Sequence, residues 1–414
     1  MNYPDSVHFL YALGNEIKTA KLGLERIRAV LEALGRPQDR LHFVHVAGTN
    51  GKGSICAMLD SALRSGGRRT GLFTSPHLAE PTERIRIDGV PVTAERFAAA
   101  FDRVHACVEG LIAAGEIDMH TTYFETVTAM ALTVFEEERV DMVVFEVGLG
   151  GRLDATNVVI PDLAVIAPID FDHEAYLGTS LDAIAREKAG ILKPGVPAVF
   201  ARQRPEAARV LEARLIDAQW SEHWPVRNLE VDARGSSFRL EDLTIRCPLA
   251  GEHQVENALT ATLALRRLGI AKAAIEAGIA GAQWPGRLER VSEQPEIILD
   301  GAHNPAGARA LAAYIERFYA GRRIRLIYGA MRDKAVAEIS GILFPLADEV
   351  TLTAPRQARA MAPEMLREIA EHPNMRIAPD IETALGSAGE GVTFVTGSLF
   401  LVAEARAAII GTKR

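Results

Sequence analysis

Cysteine is scarce in this chain: Cys56, Cys107 and Cys247 are the only three in 414 residues. Isolated, odd in number and without any C-x-x-C spacing, they exclude a disulfide framework and a cysteine zinc site. Basic runs are missing too, and a formal net charge of -8 argues against a general nucleic-acid or membrane-surface binder, so anionic ligands must be met locally. No uncharged apolar run approaches the roughly 18 residues of a membrane span. The opening Met-Asn-Tyr-Pro-Asp-Ser lacks the basic and apolar regions of a signal peptide. A monomer in the reducing cytoplasm is therefore expected.

What is present is ordinary for a soluble enzyme, 48% hydrophobic and 24% charged. A chain this long exceeds what one hydrophobic core usually serves, so two domains are expected. The organising stretch is His45-Val-Ala-Gly-Thr-Asn-Gly-Lys-Gly-Ser54. It follows an apolar run (Leu41, Phe43, Val44, Val46) that reads as a buried strand, and it precedes Ile55 to Leu63, which reads as a helix. Gly48, Gly51 and Gly53 allow a tight turn that brings Thr49, Asn50 and neighbouring backbone N–H groups close to an anion. The helix N-terminus adds a partial positive charge, Lys52 adds a full one, and Ser54 is placed to ligate a nucleotide-borne Mg²⁺. Only two residues separate Gly48 from Gly51 and a glycine follows the lysine, so the spacing departs from the common P-loop. A glycine turn that binds nothing is the bland alternative; ATP binding is the working premise.

Strands are expected over Thr70 to Thr74, Glu83 to Ile87, Asp141 to Gly148, Leu163 to Ile169 and Pro197 to Ala201. Helices are expected over residues 16–34, Thr93 to Ala113, Tyr123 to Glu137, residues 180–192 and Gly251 to Leu268. Trp224 to Cys247 alternates like a small antiparallel patch, and Trp284-Pro285-Gly286 breaks the pattern before a second strand-helix series from Ile297. The expected fold is α/β: an ATP-binding domain over 1–283 with a mostly parallel sheet and a small antiparallel patch, a hinge over 284–295, and a smaller Rossmann-like domain over 296–414.

Ligand sites of parallel sheets lie at the carboxyl ends of strands. Glu146 and His173 fall there, and with Ser54 they form a candidate Mg²⁺ set; a histidine suits a second, less strict metal site. Taken singly, His173 reads as a satisfied polar group of a loop, and only the repetition of polar strand ends shifts it toward function. Lys188, on spacing alone, is a solvated helix lysine. Arg287 is either a hinge arginine reaching the phosphates on closure or a surface charge. Asp300-Gly-Ala-His303-Asn-Pro follows a strand in the second domain and opens a helix, a second site.

Together, His45 to Ser54, Thr74-Ser75-Pro76-His77-Leu78, Glu83-Arg84-Ile85, Glu146-Val-Gly-Leu-Gly-Gly-Arg152-Leu-Asp154-Ala-Thr-Asn157, Asp172-His173, Glu187-Lys188-Ala-Gly and Asp300 to Pro305 resemble folylpolyglutamate synthase, in bacteria often also dihydrofolate synthase. Tyr123-Phe-Glu, Gly329-Ala-Met-Arg-Asp-Lys334 and Thr396-Gly-Ser398 extend the likeness over nearly the whole chain. The resemblance implies an ATP-dependent amide ligase with a P-loop domain of the Mur ligase superfamily, joining L-glutamate to dihydropteroate, to the tail of a reduced folate, or to both. It implies ATP, two Mg²⁺ ions and a monovalent cation as cofactors. Lys52, Lys188, His173, Asp300 and His303 become candidate catalytic residues, and Ser54, Glu146 and His173 metal ligands. Gly48 to Ser54, Asn257 and Arg287 become nucleotide contacts; Ser75, Pro76, His77, Arg84, Arg152, Asp154 and Ser398 become substrate residues. Lys188 matches a carbamylated lysine, in which CO₂ turns a cation that repels Mg²⁺ into an anion that attracts it.

Two alternatives stay in view. A Mur-type ligase acting on a UDP-linked acid is expected to carry an N-terminal domain of about 100 residues before the loop. A nucleotide-controlled binding switch would need no amine acceptor.

Overall fold

A computed structural model describes residues 1–13, 23–214, 216–386 and 390–411. Contacts divide the chain into two compact units, Met1–Pro225 with Glu256–Gly281, and Val226–Val255 with Ala282–Arg414.

The first unit is built on an eight-stranded sheet. In chain order its strands are β1 (Phe43–Ala47), β2 (Thr70–Phe73), β3 (Ile85–Ile87), β4 (Val90–Pro91), β5 (Met142–Glu146), β6 (Leu163–Ile166), β7 (Ala198–Phe200) and β8 (Ala218–Trp220), arranged β4-β3-β2-β5-β1-β6-β7-β8. The run from β2 to β8 is parallel, whereas β3 and β4 add antiparallel to one edge. Every residue of β1 and β6 is buried, as expected of strands covered on both faces by crossover helices. One core packs Phe73, Phe101, Phe135 and Phe145 on one side of the sheet. Another gathers Ile166, Ile184, Ile191 and Phe200.

The helices follow their sequence signals closely. Thr93 caps helix Ala94–Ala113, and Thr122 with Glu125 forms a capping box on helix Tyr123–Glu137, each satisfying first-turn N–H groups that have no intrahelical partner. Of the helix expected over 16–34, the structure shows Glu25–Ala33; residues 16–22 lie outside the described residues. A helix over Tyr3–Ala12 has weak amphipathic periodicity and was not expected.

The second unit holds a three-stranded antiparallel sheet, β9 (Arg227–Asp232), β10 (Gly235–Leu240) and β11 (Leu243–Cys247), in the order β11-β10-β9. It also holds a six-stranded sheet of β12 (Glu289–Glu293), β13 (Glu296–Leu299), β14 (Ile324–Tyr328), β15 (Glu349–Leu352), β16 (Met375–Ile377) and β17 (Val392–Thr396), ordered β12-β13-β17-β14-β15-β16. All of its pairings are parallel except β12 with β13. The antiparallel patch, expected within 1–283, thus groups with the C-terminal residues. Tyr314 donates its hydroxyl to the Ala233 carbonyl at 2.7 Å, and Arg234 pairs with Glu293 at 2.9 Å. Short-range alternation identifies such strands but carries no information on which sheet they accompany.

Candidate active site

The turn after β1 is shaped by backbone constraints. Gly48 has φ 148°, and a Cβ there would stand 2.6 Å from the Ala167 side chain beyond β6; Gly51 has φ 84°, and its Cβ would meet Asn257 Oδ1 at 2.3 Å. Only glycine fits either place. The loop is tied to the segment after β6: Thr49 and Asn50 donate backbone N–H to the Pro168 carbonyl at 2.9 and 3.2 Å, and the Thr49 hydroxyl donates to the Asp170 carbonyl at 2.9 Å. Helix Lys52–Ser65 then starts with Gly51 at its N-cap and no side-chain cap. Its first-turn N–H groups and its dipole are left facing the turn, the arrangement that binds phosphate.

Two amines reinforce that field. Lys52 Nζ donates to the Gly48 and Thr49 carbonyls at 3.2 and 3.3 Å, and Lys188 Nζ donates to the same Gly48 carbonyl at 2.8 Å. Lys188 is only 4% exposed, which overturns the reading of a solvated helix lysine: its helix, Leu181–Lys188, ends by aiming the side chain under the phosphate loop. Burial, and next the charge of Lys52, pull its pKa down to about 7, while Asp172 and Asp154 pull the other way. The Lys52 cation at this carbonyl makes an anion welcome, with the weakly protonated Lys188 amine beside it.

The oxygen donors lie alongside. Ser54 and Glu146 are each 3% exposed. Glu146 ends β5 in register with Val46 of β1, and its Oε2 accepts the Ser75 N–H at 3.1 Å. His173 follows β6 in a left-handed conformation, φ 53°, with Nε2 3.8 Å from Asp172 Oδ2. A hydroxyl, a carboxylate and an anion cradle at adjacent strand ends are the donor chemistry Mg²⁺ takes when it also binds phosphate, so the residues fit the ion.

Arg152 and Asp154 do different work. Asp154 is buried; it accepts the Leu149 N–H at 2.8 Å and the Thr156 N–H at 3.0 Å, and the Thr156 hydroxyl bonds to it as well. It shapes the glycine turn after β5. Thr156 Oγ1 lies 2.9 Å from Nε2 of the wholly buried His45, whose pKa burial and then Lys193 lower to about 3. That imidazole is neutral. Arg152 is exposed and pairs with Glu187 at 3.0 Å, while Gly190 packs so closely that a Cβ would lie 2.4 Å from the Arg152 Cα. This contact locks the glycine turn against the Lys188 helix.

Ser75, Pro76 and His77 follow β2. Arg84 Nε donates to His77 Nδ1 at 2.9 Å, and the Arg84 guanidinium sits 5.0 Å from the centre of the Tyr123 ring. Tyr11 stacks on Tyr123 at 5.7 Å, with its hydroxyl 3.2 Å from His77 Nε2. Burial and Arg84 push the His77 pKa down to about 3, so this ring is neutral too. Tyr11 and Tyr123, which pack here, are not among the residues the sequence singled out for the site. Tyr123 stood in a quoted motif, whereas Tyr11 had no signal because its helix was not foreseen.

In the second unit, Arg287, Asp300, His303 and Ser398 are positioned by their own loops. Asp300, after β13, accepts backbone N–H groups of Leu288 and Ala302, both at 3.0 Å. Arg287 Nη1 donates to the Gly286 carbonyl at 3.2 Å and would meet a Cβ on Gly301 at 2.2 Å. His303 Nδ1 is 2.8 Å from the Gly301 carbonyl, and the Ser398 hydroxyl accepts the Phe400 N–H at 3.2 Å. Half-buried His253 has its pKa lowered, by desolvation first and then by Arg287, while Asp300 pulls the other way.

Comparison with known proteins agrees with this geometry. Residues 46–265 match the Mur ligase middle domain, and residues 286–399 match the Mur ligase glutamate ligase domain. The chain is 36% identical to the dihydrofolate synthase/folylpolyglutamate synthase of Bacillus subtilis over 93% of this chain and 94% of that one. The folylpolyglutamate synthase of Mycobacterium tuberculosis, solved with ADP and AMPPCP, superimposes with a TM-score of 0.91 at 33% identity, covering 99% of both chains. The Escherichia coli FolC protein in complex with DHPP and ADP gives a TM-score of 0.86 at 32% identity, covering 99% of this chain and 98% of that one. On likeness of this extent in both sequence and structure, the chain belongs to the folylpolyglutamate synthase/dihydrofolate synthase family, ATP-dependent acid–amino-acid ligases built from Mur ligase domains.

Proposed function

We propose that this ligase joins L-glutamate to dihydropteroate, to the tail of a reduced folate, or to both. The observation that carries the reading is the convergence of the uncapped helix Lys52–Ser65 and the Lys52 amine on the Gly48 turn. Such a turn favours charge on a transferring phosphoryl group. A substrate carboxylate oxygen attacks the γ-phosphorus of ATP, the bond to the β-bridging oxygen breaks, and ADP leaves. The glutamate amine, having given up its proton, then attacks the acyl phosphate carbon, and inorganic phosphate departs with the carbon–oxygen electron pair.

Ser54, Glu146 and His173 would hold Mg²⁺, which when bound neutralises the charge on the phosphate oxygens. Lys52 orients the phosphates, and Asn257, against Gly51, lies within reach of a nucleotide. Arg84, His77, Tyr11 and Tyr123 offer a cationic and aromatic wall for a flat heterocycle. Arg287, Asp300, His303 and Ser398 are assigned to the nucleotide and the reacting ends of both substrates. Lys188, buried and with its amine proton weakly held, is suited to add CO₂: the nitrogen lone pair bonds the carbon, a proton leaves, and a carbamate anion results. Among the described residues no helix is long and apolar enough to cross a membrane, and action in the cytoplasm as a monomer completes the proposal.

The test is ADP release by the purified protein with Mg²⁺-ATP, supplying dihydropteroate or a reduced folate, each with and without L-glutamate. Glutamate-dependent turnover with one or both acids is expected and states which reactions are catalysed. Folded, ATP-binding protein that turns over neither acid would sink the folate assignment. Intact mass in bicarbonate buffer tests the carbamate, which adds one CO₂ to Lys188; activity indifferent to bicarbonate, with no added mass, would remove it.

A further inference from the structure

Apart from the phosphate loop, one cluster in the first unit has ligand chemistry that the reaction does not use. Helix Ala94–Ala113 presents His105 and Glu109 one turn apart, so their side chains share a face. His120, from the connection to helix Tyr123–Glu137, reaches the same place. One ligand atom from each of the three lies within 4.8 Å of the others.

The imidazole geometry is informative. His120 Nδ1 is 2.9 Å from the Thr121 carbonyl, a contact that requires the proton on Nδ1 and leaves a lone pair on Nε2. That Nε2 faces His105 Nδ1 at 3.3 Å, a long N–H···N contact when no ion stands between them. Two nitrogens on a tetrahedral zinc, each about 2.0–2.1 Å from the metal, stand about 3.3 Å apart. An outward bond from the far ring nitrogen to a backbone carbonyl is also what fixes the tautomer of metal-bound histidines. Ring packing holds both imidazoles: Phe101 stacks on His105 at 5.3 Å, and Phe9 lies 4.7 Å from His105 and 5.4 Å from His120. His105 and His120 are half-buried and Glu109 is exposed, so a cation can enter from solvent.

We propose that His105, Glu109 and His120 bind a transition-metal dication of the zinc type, with water as a fourth ligand. Two imidazoles and a carboxylate favour zinc, cobalt, nickel or copper over the magnesium of the phosphate site. Bound there, the ion closes the connection between the two helices. It also clamps helix Tyr3–Ala12 through Phe9, and with it Tyr11, which stacks on Tyr123. The site is thus a structural fastener placed behind the aromatic wall.

The experiment is equilibrium dialysis of the chelator-treated full chain against Zn²⁺ in excess Mg²⁺, comparing wild type with the H105A/H120A double variant and with E109Q. Wild type should retain one more equivalent of zinc than the double variant. E109Q changes an exposed side chain and should fold normally, yet bind that equivalent about ten- to a hundredfold more weakly, at least as large an effect as losing an outer-shell partner. Co²⁺ in place of zinc should give visible absorption of a tetrahedral ion in wild type and none in the double variant. Equal zinc content in all three proteins, or unchanged affinity in E109Q, would overturn the proposal. So would a wild-type protein that retains no zinc.

Discussion

Two strand-to-helix turns in this molecule look alike in sequence and are built differently. Both follow a buried strand and both carry glycine and charged residues: Gly48 to Ser54 after β1, and Asp300 to Pro305 after β13. In the second, Asn304 caps helix Pro305–Phe318 by accepting the Gly307 N–H at 2.8 Å, Pro305 occupies the first turn, and both oxygens of Asp300 accept backbone N–H groups. In the first, glycine stands at the N-cap, no side chain caps the helix, and lysines approach. One turn is capped by its own side chain; the other has no side-chain cap. A strand-end motif therefore identifies an anion site only when its helix lacks an internal cap.

The largest expected effect tests the open turn. Lys52→Ala should lower ADP formation by about 10²–10³-fold, the scale for removing one preorganised charge stabiliser, while thermal stability stays near wild type. A loss below tenfold in a steady-state assay would mean the turn does not hold the transferring phosphoryl group. The closed turn should answer in stability as well as in activity. Asp300→Ala leaves the Leu288 and Ala302 N–H groups without their acceptor, at about 1–3 kcal/mol each. Urea unfolding should show that deficit, and retention of wild-type stability would break the contrast.

The proton affinity of Lys188 sharpens it further. Its pKa is about 7 in the folded chain against 10.5 for the free side chain, so between those values the unfolded state binds more protons and stability rises with pH. Below about pH 7 both states are protonated, and the cost of burying the charge is fully present. Melting curves in bicarbonate-free buffer from pH 7 to 10 should show wild type gaining on Lys188→Met by up to a few kcal/mol. Parallel curves would mean the amine is not held low. Removing Lys52, the second cause of the shift, should move the rise to higher pH.

Much of this is legible in the sequence. Uninterrupted apolar runs marked β1, β5 and β6, and the capping residues Thr93 and Thr122 fixed helix starts, because both signals are local. Burial of a charged residue is not local, so spacing alone reads Lys188 as a surface lysine; the resemblance gave it a role, and the structure buries it under Gly48. Nor is a carboxylate's bonding to its own turn legible: Asp154, a substrate residue by resemblance, accepts the Leu149 and Thr156 N–H groups. The grouping of β9 to β11 with the C-terminal residues depends on partners such as Ala233 with Tyr314, 81 residues apart, which no window of sequence contains. Helix Tyr3–Ala12 buries only Ser6 and Leu10 fully, too few positions for a periodic stripe, and Tyr11 was lost with it.

The smallest effect concerns the cap itself. Asn304→Ala removes the acceptor for the Gly307 N–H and should cost about 1 kcal/mol, within the range for N-cap substitutions. Asn304→Asp should keep the acceptor and add a negative charge at the positive end of the helix, so it should be neutral or slightly stabilising. Isothermal titration with Mg²⁺-ADP separates a cap from a binding group: a cap leaves nucleotide affinity unchanged in Asn304→Asp, since the same N–H remains satisfied. A marked loss of affinity there would mean that this helix N-terminus also faces an anion. The difference between the two turns would then be one of degree, with Asn304 standing in for a phosphate that displaces it.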